Sequence, residues 1–132
     1  MTDEPNAHAQ VAARRMFDLA RKGDVEQLVG YIDAGLPVNT TNPAGDTLLI
    51  LAAYYDHPET VRALLERGAD TSVVNERGQT ALAAAVFRHS PAAALLVRAG
   101  ADPDLGSPSA VATARFFDLP DMLALLERNR SA

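Results

Sequence analysis

The feature that most constrains this chain is an offset of thirty-three residues. Adding it to Gly45, Thr47, Ala52 and Pro58 gives Gly78, Thr80, Ala85 and Pro91; subtracting it from Gly68 and Ala53 gives Gly35 and Ala20. The repeated unit, Asn42 to Asp70, opens with a Gly-containing turn and continues as a short Ala-rich apolar segment. It breaks near His57, and a second apolar segment follows, opened by Pro58 and closed by Gly68. Proline suits the first turn of a helix, where its missing N–H costs nothing, and glycine suits the position just past a helix end. Pro91 and Pro120 repeat the proline slot. A unit this small cannot bury its apolar faces alone, so the chain must stack one unit on the next.

The turn, the Ala-rich segment, the proline-opened segment and Gly-Ala-Asp at 68–70 and 100–102 resemble the ankyrin-repeat family over nearly the whole chain. The resemblance implies an all-α solenoid of about four helix–turn–helix units with short β-hairpin fingers and degenerate N- and C-terminal capping repeats. The units are expected at about 9–41, 42–74, 75–104 and 105–129 of a single domain, 9–132, behind a disordered tail at 1–8. The family's Thr-Pro-Leu-His signature is replaced by Thr47-Leu48-Leu49-Ile50 and Thr80-Ala81-Leu82-Ala83. Threonine is kept as the helix cap; proline and histidine are not. The last hairpin, Asp104 to Ser109, is about three residues short when Pro120 is aligned with Pro91.

Composition narrows the function classes. A formal net charge of −5 argues against a nucleic-acid partner, which asks for a basic face. The longest apolar run, Leu48 to Tyr55, is far short of the roughly 20 residues that span a bilayer, so no membrane role is expected. The absence of cysteine suits a reducing compartment, and the acidic, polar start lacks the pattern of a secretory signal; a cytoplasmic location is expected. Richness in Ala and Arg is similar to that of proteins from GC-rich bacteria. His8, His57 and His89 are not a helical turn apart, and no cysteine completes a zinc site. No phosphate-binding Gly loop or Gly-x-Ser-x-Gly elbow occurs. No catalytic residue, metal or cofactor is therefore expected, and the chain is not read as an enzyme.

The aromatic residues carry the functional reading. In the family, the two residues after the small pair of the first helix point into a concave groove. Here those positions are Arg21 and Lys22, Tyr54 and Tyr55, Phe87 and Arg88, and Phe116 and Phe117. Five of the chain's seven rings thus fall in two columns. Rings gathered in a groove concentrate binding energy. The resemblance implies a non-catalytic module that binds a partner protein, as an adaptor, inhibitor or immunity-type protein. Tyr54, Tyr55, Phe87 and Phe117 would anchor the partner; Arg21, Lys22 and Arg88 would steer its acidic groups. Finger-tip residues Pro43, Ala44, Asp46, Glu76, Arg77 and Gln79 would set specificity. Two readings stand for Phe116 and Phe117, groove residues or the core of a collapsed fourth repeat. Tyr54 either serves the groove or stacks between repeats. Arg14 and Arg15 extend the basic cluster, as a solvated helix face or an anchor for an acidic partner. A monomer is expected; the alternative is a homodimer that buries the rings.

Overall fold

The computed structural model describes residues 3–130. Short polar side chains set where its inner helices start. Thr47 Oγ1 accepts the N–H of Ile50, Thr80 Oγ1 that of Ala83 and Ser109 Oγ that of Ala112. Each satisfies a backbone donor that the first turn leaves without a partner. The helices they open are α3 (Leu48–Tyr54), α5 (Ala81–Phe87) and α7 (Ala110–Phe116). A longer helix, α1 (Asp3–Lys22), precedes them, and α2 (Val25–Asp33), α4 (Pro58–Glu66), α6 (Ala92–Arg98) and α8 (Pro120–Arg130) complete four antiparallel pairs. Successive inner helices α1, α3, α5 and α7 pack side by side, and α2, α4, α6 and α8 form the outer row. Small residues permit the close approach: Ala20, Ala52, Ala53, Ala84, Ala85 and Ala114 are all buried. Larger side chains, among them Leu49, Leu64, Leu82, Leu96 and Leu126, fill the space between the rows. Among the described residues the fold is an all-α solenoid with no strand, and the fingers hold only isolated bridges, Thr41 with Thr47 and Gly106 with Ser109.

Three details differ from the sequence reading. Helix α1 begins at Asp3, so the described part of the tail expected at 1–8 is helical; Met1 and Thr2 lie outside the described residues. Pro91 precedes α6 as its cap residue instead of occupying its first turn, and Ser90 Oγ accepts the Ala92 N–H beside it. The fourth unit is formed by both α7 and α8 and is not collapsed: Phe116 and Phe117 stay exposed while Val111, Ala114 and Leu126 supply its core.

The fingers are copies of one another. Asn42 Oδ1 accepts the N–H groups of Ala44 and Asp46, and Asn75 Oδ1 those of Arg77 and Gln79. Neighbouring fingers are bonded in series, Glu76 N–H to Ala44 O at 3.0 Å and Ser107 N–H to Gly78 O at 2.8 Å. The residue matching Glu76 one unit earlier is Pro43, which has no N–H to offer.

The inner helices also end alike. Gly23, Asp56, His89 and Asp118 each adopt positive φ, between 52° and 76°. Beyond this point His57 Nε2 donates to Arg21 O at 2.7 Å, linking the second unit to the first. Its ring fills the space above Gly23, where an added Cβ would stand 2.5 Å from Nδ1. A buried hydroxyl on α4, Thr60 Oγ1, has no hydrogen-bond partner among the described residues. Thr60→Val replaces that hydroxyl by a methyl of similar shape and should raise the unfolding free energy by about 1 kcal/mol. The check is the urea midpoint; a comparable drop would mean the hydroxyl is bonded.

Candidate functional site

Because the inner helices end in register, the side chains of their last residues meet across units. Five rings run in continuous contact across the C-terminal ends of α3, α5 and α7. Tyr55 meets Tyr54 edge-on at 5.2 Å, and Tyr54 stacks on Phe87 at 6.2 Å with the planes 4° apart. Phe87 then meets Phe117 at 5.6 Å, and Phe117 meets Phe116 at 5.0 Å, both edge-to-face. Both geometries suit the ring quadrupole. Tyr55, Phe87 and Phe117 are 44%, 45% and 49% exposed, Phe116 is 82% exposed, and Tyr54 is half-buried between its neighbours. The ladder is an apolar surface three units long.

Cations flank it. Lys22 and Arg88 are exposed and have no ion-pair partner among the described residues. Arg21 is different: its guanidinium lies 3.0 Å from Asp18, which neutralises much of its field. On the outer side of the ladder, His89 Nε2 bonds Asp121 at 2.7 Å, and that hydrogen bond holds the Asp121 carboxyl below the usual carboxylate range. On the outer row, Arg67 bonds both carboxylate oxygens of Asp33, lowering its pKa in the same way and tying the first unit to the second.

The fingers divide into two groups. Glu76 and Arg77 are exposed at the tip, as a specificity role requires, and so is Pro43. Asp46 is only 5% exposed. It accepts from Asn75 Nδ2 at 2.7 Å with Arg77 at 3.6 Å, so it holds the third finger to the second and is not displayed. Gln79, one unit on, is half-buried, and its Oε1 has no hydrogen-bond partner among the described residues. The shortened fourth finger leaves Pro108, beside the cap residue Ser109, next to Gln79. The result is a cleft of about 270 Å³ between Gln79, Arg77, Pro108, Thr113, Phe87 and Phe117. It opens at the end of the ring ladder and has room for a side chain more readily than for a cofactor.

Among the described residues no group of three His, Asp or Glu side chains is placed to hold a metal, and no helix is long and apolar enough to cross a membrane. Sequence reading places Arg14 in the basic cluster and Asn42 in a turn but does not bring them together; both line a second cavity under the second finger. The signal for it was present: Ala13 stands thirty-three residues before Asp46.

The comparisons agree with this architecture. A family model described as ankyrin repeats (3 copies) matches residues 16–107. The ankyrin repeat protein PA3287 of Pseudomonas aeruginosa is 42% identical over 66 residues, 47% of this chain and 39% of its own. The human NAD-capped RNA hydrolase NUDT12 is 45% identical over 69 residues, 52% of this chain and 15% of its own. The Drosophila melanogaster E3 ubiquitin-protein ligase Ufd4 is 34% identical over 101 residues, 76% of this chain and 4% of its own. The chain thus spans well under half the length of each of these relatives. Period, paired helices, stacked fingers and the matched repeats together make this chain a member of the ankyrin-repeat family.

Proposed function

We propose that this chain is a non-catalytic recognition module that seats a partner protein on the ring ladder of its groove and on the tips of its fingers. Ankyrin repeats are in general protein–protein interaction modules and are typically not catalytic. The observation that carries the reading is the run of five touching rings, four of them exposed, on a chain with seven in all. A contiguous apolar surface of this kind marks a contact site. Lys22 and Arg88 beside it favour acidic groups on the partner, and Glu76 and Arg77 at the tip discriminate among partners. With few repeats, the module acts by occluding or bridging, as an inhibitor, an immunity-type protein or an adaptor. Its proposed location is the cytoplasm.

The exposed ladder also supports a second reading, in which two copies bury it against each other. Sedimentation velocity across a wide concentration range separates them. A single monomeric species that captures a partner, with capture lost in a Tyr55→Ala, Phe87→Ala variant, supports recognition. A dimer that the same variant dissociates supports self-association.

A further inference from the structure

One hydrogen-bonding device recurs along the fingers and is incomplete at one end. Asn75 Nδ2 donates to the Asp46 carboxylate at 2.7 Å. One unit earlier the matching residues are Asn42 and Ala13. The Asn42 amide is held as the Asn75 amide is, its Oδ1 accepting the same two backbone N–H groups. That attitude turns Nδ2 toward the preceding unit, where it has no acceptor among the described residues. Where the repeat would put its own carboxylate, at Ala13, there is a cavity of about 560 Å³, lined by Asn42, Pro43, Ala13, Arg14, Phe17 and the Asp18–Arg21 ion pair. It exists because α1 continues as helix through residues 9–13, where the later units place a finger.

The walls define the chemistry. Arg14 has no hydrogen-bond or ion-pair partner among the described residues, and Arg21 is matched by Asp18, so the cavity keeps a positive charge in a chain of net −5. Phe17, Ala13 and Pro43 are apolar, and the volume lies within the roughly 300–1,000 Å³ of ligand sites. We propose that this cavity binds a carboxylate on an apolar stem: an aspartate or glutamate of the protein segment lying in the groove, received by Arg14 and Asn42 Nδ2 where the repeat would put its own Asp. The identity of the occupant rests on the recognition reading above. Arg21 continues the column of Tyr54, Phe87 and Phe116, so cavity and ladder serve one segment.

The site can be tested without the partner. The full ¹⁵N-labelled chain is titrated with 3-phenylpropanoate and, separately, with the neutral 3-phenylpropan-1-ol, following backbone amide shifts. Saturable shifts are expected around Ala13, Arg14 and Asn42, with a Kd for the carboxylate about tenfold lower than for the alcohol, the effect of one charge-assisted bond. Arg14→Gln and Asn42→Asp, which keeps the finger's acceptor oxygen but loses the donor, should each erase that preference. Equal affinity for the two probes, a preference unchanged in both variants, or no shift at saturating probe would overturn the proposal. If the carboxylate fails here while the Tyr55 and Phe87 variant still loses its partner, the cavity is removed and the groove stands. The reverse pattern leaves the cavity and removes the groove.

Discussion

Gly78→Ala is expected to lower the unfolding free energy by roughly 2–5 kcal/mol, a large share of the 5–15 typical of a domain. Two costs add. At φ +79° any side chain is strained, and the new Cβ would stand 2.6 Å from Ser107 O. That oxygen belongs to the backbone of the next finger and cannot rotate away, because Ser107 N–H is bonded to Gly78 O at 2.8 Å. Gly68→Ala is the control: its φ is +85°, but nothing lies within 4 Å of the added atom. It should show the conformational cost alone, about 1–2 kcal/mol. Urea unfolding of both variants measures the difference. If the two lose the same amount, finger stacking contributes nothing to stability.

Replacing Phe87 by alanine together with Tyr55 is expected to weaken partner binding by a hundredfold or more. Each ring is of the kind whose truncation at an interface centre costs about 2 kcal/mol or above. Phe87 is the middle of the ladder, touching both Tyr54 and Phe117, so its loss divides the surface into two patches. Both rings are nearly half exposed, so removing them takes little from the core, and the melting temperature should move by only a few degrees. Lys22→Gln with Arg88→Gln should act differently, slowing association and reducing its salt dependence while leaving dissociation nearly unchanged. Calorimetry or surface binding with the captured partner reads each effect. Undiminished affinity in the ring variant would place the interface elsewhere on the molecule.

What could be read from the chain beforehand was whatever repeats locally. Caps at Thr47 and Thr80 follow from side-chain chemistry and a fixed offset, and both appear where the register implies; Ser109 caps α7 in the same way, hidden in the sequence by the shortened hairpin. The start of α1 carries a local signal too, since Asp3, Glu4 and Pro5 are residues that favour a helix beginning. Asp46 was not legible in this way. In sequence it is one more polar residue of a turn, and only an amide 29 positions away draws it out of water. For Tyr54 the sequence left two readings, groove or stack between repeats, and its half-burial against Phe87 in the next unit is the stack. The cavity beside Arg14 is a relation between a helix and a finger, which no window along the chain contains.

Pro43 has a bearing on how the series of joined loops begins. Stacked repeats carry a hazard that closed domains avoid, because a bare terminal layer is a template on which another copy can continue the pile, and head-to-tail contacts that never close grow into fibres. On the second finger's outer edge, the residue that would hand its hydrogen onward has none to give. That edge faces α1 across the cavity, so the series of joined loops starts there without leaving an unused donor.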